Sequence, residues 1–544
     1  MHWENELRRT RSTFERLLDI ADYFLSRRRT EQAAAAAAIA AHYASYSHPG
    51  AFTSPRLEHL LARLARCADR PVVPERVTGT AYRRVLHVLT SAKDVGGDTR
   101  FVWRWIQRDS TRSHSVALTA QRDFPVPREL IDATRSAHGA IHALDKASGN
   151  ALDRAKQLRD IALGFDFVAL HVYPEDVIPG LAFGAGGRAA TIAHIAQADH
   201  QFWSCGGVAD LVVYLRDSGA RLGARRRHGQ ACTTSTLPIP MEVPDSGPGR
   251  RAARERLGLP AGSVVLLTIA RALKYQPIDG PGFAELLAPV LQAHPEALLI
   301  AIGPAQTAQW EAASGATGGR VQALGQRSDT DLYYQAADIY VDSYPFTSNT
   351  SLLEAGARGL PLVTLLTSPP GDAEVLGAGA PGIDRTMIRA GNVGDWRAAI
   401  SGLIADPRQR EQLGEETRAG IRGIHSGRGW LDHLEAMYAD AQGARAVEGP
   451  AENSVSRADE IDVQLHRFYT PGTTLGWMIG WHARDMPYLA RVDLLRKLLA
   501  VDASFSFAMF FPDTLARALA RWASGWRQWP VIGRLGSQGA AGGK

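Results

Sequence analysis

Residues 337–365 read Ala337-Asp-Ile-Tyr-Val-Asp-Ser-Tyr-Pro-Phe-Thr-Ser-Asn-Thr-Ser-Leu-Leu-Glu-Ala-Gly-Ala-Arg-Gly-Leu-Pro-Leu-Val-Thr-Leu365. This is a strand, a polar loop, a helix and a second strand, the repeating unit of a doubly wound sheet. The loop carries Ser343, Tyr344, Thr347, Ser348 and Asn349 and delivers Asn349, Thr350 and Ser351 to the helix start. A helix start has unpaired N–H groups and partial positive charge, so it suits a phosphate. Glu354, three residues after Ser351, is expected on the same side of the first turn. A carboxylate there can accept hydrogen bonds from a ribose diol while the loop holds a diphosphate. The same residues also fit a capping box, in which Ser351 and Glu354 only satisfy backbone donors. The crowd of hydroxyl and amide side chains exceeds what a cap needs.

These residues resemble the nucleotide-binding half of GT-B glycosyltransferases, most closely the branch of the protein O-GlcNAc transferases and bacterial N-glycosyltransferases. The resemblance is carried by Asn349-Thr350-Ser351, Glu354 and Gly359-Leu-Pro361. It implies an α/β fold of two Rossmann-like domains facing a cleft, and transfer of a sugar from a nucleotide-diphosphate donor, expected to be UDP-linked. The acceptor would be a hydroxyl or amide of a glycan or protein. Many retaining relatives place a second glutamate eight residues before the first; Phe346 stands there in this chain, which favours an inverting reaction. A nucleotide-sugar epimerase of the same fold, or a non-catalytic nucleotide-sugar-binding scaffold, are the alternatives.

The pattern extends on both sides. Residues 263–269 and 297–302 read as further parallel strands, as do residues 84–90, 115–119, 167–173 and 189–193 earlier in the chain. The Pro- and Gly-rich stretch 238–249 punctuates the two series. The expected organisation is a helical N-terminal domain (1–78), an acceptor domain (79–245), a donor domain (246–440), and a linker with a helical tail (441–544). The N-terminal part contains an almost pure alanine run, residues 31–42, the best helix former. The tail is rich in tryptophan (Trp477, Trp481, Trp522, Trp526, Trp529) and mixes aromatics with arginines, so peripheral contact with a membrane surface is a second reading of it.

Further candidates follow from position. Gly96-Gly97, after the first strand, lets backbone approach a ligand closely, and the resemblance sets Gly97 against the donor phosphates. Lys274 follows the strand ending at Ile269; the resemblance places it on the diphosphate, where an ammonium offsets the charge building on departing UDP with no metal required, and Arg271 assists. The resemblance sets Gln326, in the loop after Gly325, against the nucleobase, and Gly303, at the end of another strand, would border the same pocket. His194-Ile-Ala-Gln-Ala-Asp-His-Gln-Phe-Trp203 is expected just after a strand, and supplies His200 as first and His194 as second candidate for the base that takes the acceptor proton, with Asp199 orienting. His171 is a third. The spacing of His194 and His200 does not suit a metal.

The 544 residues, 45% hydrophobic and 22% charged, describe a globular protein, and a net charge of +5 is too small to argue for nucleic acid. Three scattered cysteines (Cys67, Cys205, Cys232) give neither a disulfide framework nor a zinc spacing, so a cytoplasmic location is expected, peripheral at the inner membrane if the tail binds it. The charged N-terminus does not read as a signal peptide, and no apolar run reaches the ~18 residues of a membrane span. No cofactor or metal is expected, only a nucleotide-sugar substrate.

Overall fold

The computed structural model describes residues 2–67, 81–94, 96–147, 149–186, 189–227, 233–244, 249–278, 280–367, 371–444, 460–469, 474–484, 486–502 and 507–511. Two separate parallel sheets organise them. The first contains β1 (Arg84–Leu89), β2 (Ser113–Leu118), β3 (Ile141–Ala143), β4 (Phe167–His171), β5 (Thr191–Ala196), β6 (Leu211–Tyr214) and β7 (Thr233–Thr236). Their spatial order is β3-β2-β1-β4-β5-β6-β7, so the winding reverses between β1 and β4. The second contains β8 (Val264–Ile269), β9 (Ala297–Ile302), β10 (Val321–Ala323), β11 (Ile339–Val341), β12 (Leu362–Leu365) and β13 (Ile388–Ala390), ordered β10-β9-β8-β11-β12-β13. Two Rossmann-like domains are therefore present. The central strands are buried on both faces, which is why they are written as unbroken apolar runs.

The helices Phe283–Ala293 and Val393–Ala405 close one face of the second sheet, and Asn349–Ala357 with Pro407–His425 close the other. The first sheet is covered differently. On one face, Leu86, Val88, Val168, Leu170 and Ile192 share a core with the helices His2–Ser26, Thr30–Tyr46 and Pro55–Arg66. Residues 2–67 thus pack as a layer on the first sheet. Ala33 to Ala41 are all buried, because a helix of single methyls can be approached closely from every side.

The tail helix Leu475–Ala483 and the helix Tyr488–Leu498 pack into this same core through Met478, Ile479, Leu494 and Leu495. Trp477, Tyr488, Leu489 and Leu499 on the same segment remain exposed, and Trp522, Trp526 and Trp529 lie outside the described residues. Among the described residues no helix is long and apolar enough to cross a membrane.

The opposite face of the first sheet holds a second departure. Helix Gly427–Gly443, expected in the donor domain, crosses back and buries Trp430, Leu434, Met437, Tyr438 and Ala441 against Val85, Phe167 and Trp105. Those positions recur at helical spacing and form one apolar stripe. Helix Glu460–Tyr469 joins the parts: Ile461, Leu465 and Phe468 share a cluster with Phe52, Leu222, Phe346 and Val375. His48 and Arg226 both bond Asp462 on it, at 2.8 and 2.9 Å.

Candidate active site in the cleft

The polar loop after β11 is folded around Asp342. This buried carboxylate accepts hydrogen bonds from Thr347 Oγ1 (2.5 Å), Ser343 N (2.9 Å) and Ser348 N (3.0 Å). The loop is thereby fixed before the helix begins at Asn349 with Ser348 as its N-cap. No side chain caps that end, and Ser348 Oγ instead meets Ser351 Oγ at 3.1 Å. The capping-box reading falls: Ser351 is inside the first turn, and its N–H and those of Asn349 and Thr350 begin the helix. Asn349 Oδ1 accepts from Gly379 N at 3.3 Å.

The first domain presents Gly97 to this helix start. Gly97 opens the helix Gly97–Arg108, and a Cβ added to it would lie 2.7 Å from Thr350 Oγ1. Only glycine lets the two helix starts come this close. Preceding it, Gly96 has φ +146°, a conformation L side chains rarely adopt. The N-terminal ends of two helices, one from each domain, therefore meet across the cleft.

Lys274 stands beside them. Its ammonium donates to the Thr347 carbonyl and lies 4.8 Å from the Phe346 ring centroid. Burial, and then the charge of Arg271, pull its pKa down to about 7. Arg271 itself is exposed and acts on Lys274, Asp98, Tyr173 and Tyr469 through space.

Glu354 is placed otherwise than expected. The helix starts at Asn349, so this residue sits in the second turn, not the first. Its Oε1 takes Arg100 Nη1 (2.5 Å) and Arg104 Nη2 (3.5 Å) from the first domain. Both contacts use one oxygen and leave Oε2 for a ligand. Gly303 has φ +112°, and a Cβ there would strike the Ala270 carbonyl oxygen at 1.7 Å, so the fold itself demands glycine. Gln326 is exposed just past Gly325, which has φ +68°.

The histidines depart most. His194 lies inside β5, not after it, with its ring 4.4 Å from Trp203 and 4% exposed; it packs in the core and cannot meet an acceptor. His171 is also buried, in a chain of imidazoles: it bonds His87 (3.0 Å), which bonds His114 (3.0 Å), which lies 3.3 Å from Asp109. His200 does reach the cleft, but its Nε2 is 2.6 Å from Tyr469 Oη and its ring is wedged between Phe346 and Tyr469. Burial holds its pKa down to about 4, with Asp199 only partly opposing. Its Nε2 is thus bonded to Tyr469, and that contact must open before His200 can meet an acceptor.

Asp199 is gripped by Arg216 at 2.7 and 2.9 Å. Burial alone would raise its pKa, but Arg216 outweighs that and holds it well below the usual range. Arg216 also donates to the carbonyls of Val375 (2.6 Å) and Gly377 (2.9 Å) in the second domain. Phe346, in place of a second glutamate, stacks on Phe468 at 4.8 Å, so this side of the cleft is apolar.

Sequence reasoning missed Arg100, Arg104, Arg216 and Tyr469. The first two lie one turn apart on the helix that Gly97 opens, a periodic pair of arginines beside a glycine pair that was visible in the sequence. Nothing local marks Tyr469. Among the described residues no group of three His, Cys, Asp or Glu is arranged to hold a metal ion.

Residues 264–406 match the family described as Glycosyl transferases group 1. A comparison with curated proteins gives no match. Among solved structures, a mutant of the Thermobaculum terrenum O-GlcNAc transferase is 17% identical over 80% of this chain and 83% of that one, with a TM-score of 0.49. Anabaena HepE in complex with UDP is 15% identical over 66% of this chain and 100% of its own, TM-score 0.48. WaaG, a glycosyltransferase involved in lipopolysaccharide biosynthesis, is 14% identical over 65% and 98%, TM-score 0.42. The family match spans β8 to β13, so the second domain is of the glycosyl transferases group 1 type, and the first parallel sheet faces it across this cleft.

Proposed function

We propose that the chain transfers a sugar from a UDP-linked donor to a hydroxyl or amide acceptor, with inversion, in the manner of the O-GlcNAc and N-glycosyltransferase branch. The observation that carries this reading is the approach of Gly97 to Thr350 with Lys274 alongside. Two helix starts and an ammonium converge there, a cradle for a diphosphate. Thr350, Ser351 and Asn349 would bind the phosphates through their backbone N–H groups, and Lys274 with Arg271 would meet the charge that builds on the leaving UDP. Glu354 would take a ribose hydroxyl on Oε2, and Gln326 and Gly303 would border the base. Asp342 has no direct part; it fixes the loop that presents the helix.

The test is thermal unfolding with UDP, GDP and ADP in turn. A nucleotide that binds only the folded protein, present at one hundred times its Kd, adds about 2.7 kcal/mol of stability. UDP is expected to raise the melting temperature most, and Lys274→Ala should remove most of that rise. If none of the three diphosphates shifts the transition, the proposal fails.

A further inference from the structure

A cavity of about 450 Å³ opens at the carboxyl ends of β1 and β4. These are the two strands between which the winding of the first sheet reverses, and ligands of open α/β sheets bind outside that point. Its volume lies in the range of about 300–1,000 Å³ typical of small-molecule sites. Lys93 from the loop after β1 and Glu175 from the loop after β4 reach into it, and Ala34, Ala35 and Ala38 of the alanine helix form its far wall. Trp477 and Trp481, 5.6 Å apart on the tail helix, stand at its rim, and Trp477 is 50% exposed. The tail helix is fixed in place by His42 on His482 (2.9 Å) and by Arg122 stacked 4.1 Å over Trp481.

We infer that this cavity is the acceptor site, that it takes a saccharide, and that Glu175 removes the proton from the attacking hydroxyl. The inference rests on the glycosyl-transfer reading above and deepens it. Flat aromatic faces set beside charged and amide side chains suit the apolar faces and hydroxyl edges of a sugar ring. Asn150, Arg154 and Glu31 supply such groups beside the two tryptophans. The cavity is tied to the donor cradle through Lys93, whose backbone N–H donates to Thr99 Oγ1 at 3.1 Å in the first turn of the helix that Gly97 opens.

Glu175 makes no hydrogen bond or ion pair to another described side chain. Removal from water raises its pKa to about 7, its own backbone N–H and Lys93 lower it, and Asp176 raises it further. Tyr46, from the alanine helix, and Tyr173 feel its charge, and Glu31, His42, Arg122, Arg154 and His482 also line the cavity. A base of that strength is matched to neutral pH. In the step, the acceptor oxygen bonds to the anomeric carbon while the bond from that carbon to the diphosphate oxygen breaks. The acceptor proton goes to the Glu175 carboxylate, and UDP leaves with the electron pair.

The experiment uses the full chain with UDP-glucose and UDP-N-acetylglucosamine as donors, and with p-nitrophenyl glycosides or a serine-containing peptide as acceptor probes, read by mass spectrometry. Transfer to a glycoside is expected. Glu175→Gln should lower kcat about 100-fold or more, with the UDP-induced melting shift retained and the acidic limb of the kcat–pH profile lost. Trp477→Ala should raise the glycoside KM about tenfold and leave the donor KM unchanged, through loss of stacking. Three results overturn the inference: transfer to the peptide but no glycoside, no transfer although UDP binds, or glycoside transfer indifferent to both substitutions. A chain that binds no UDP overturns the parent reading instead.

Discussion

The donor-side wall of the cleft is one short piece of chain. Residues 342–351 run from Asp342 through the hydroxyl loop into the helix, and their polar groups bond mainly to one another. The wall proposed for the acceptor draws on several distant pieces: the alanine helix, the loops after β1, β2 and β4, the segment 149–154, and the tail beyond Thr474. Its polar groups are held by packing between those pieces, as His42 is by His482. A wall made of one loop keeps its shape independently of the termini. A wall made of several pieces depends on all of them, so the proposed acceptor site is where terminal changes should be felt first.

That contrast can be attacked at the point where the walls are joined. Arg216→Ala should have the largest effect. It leaves Asp199 buried without its partner and removes two hydrogen bonds to the second domain, at a cost of about 3–5 kcal/mol. Urea unfolding measures it, and a loss below 1 kcal/mol would mean that the walls are not coupled here.

Lys274→Ala comes next. It should cut kcat about 100- to 1,000-fold by removing a charge that acts on the leaving group, while the acceptor KM holds. An equal rise in acceptor KM would show that the two walls do not act separately.

The smallest effect is a pH dependence on the donor side alone. Lys274 is an ammonium below about pH 7 and loses its proton as pH rises through that value. A diphosphate needs the charged form, so UDP Kd should increase above pH 7, up to about tenfold per unit. Lys274→Arg should flatten that rise, because guanidinium stays charged. Calorimetric titration of UDP from pH 6 to 9 checks both.

The same contrast explains what could be read from the chain. The strand–loop–helix unit of the donor side was legible because its signals are contiguous: an apolar strand, a cluster of hydroxyls, a helix start. Even there, one residue of helix phase mattered, and the start at Asn349 moved Glu354 into the second turn. His194 was misplaced because β5 extends to Ala196, three residues beyond the expected end. The alanine helix carries no polar face, and without amphipathic spacing nothing in the sequence says which neighbour covers it. Glu175 was missed although it follows β4 in Tyr173-Pro-Glu-Asp176. It comes into view once β4 is known to flank the reversal of the first sheet, and strand order is a property of the folded chain alone.

The alanine helix has one more consequence. Where it lines the cavity, at Ala34, Ala35 and Ala38, each side chain is a single methyl group, so the depth available to a bound molecule is set almost entirely by the backbone. Substituting valine or leucine at any of these three positions would shorten the space in steps of one or two carbons, well away from the UDP cradle. If the cavity holds the acceptor, bulkier residues there should restrict it to smaller sugars while the donor stays the same.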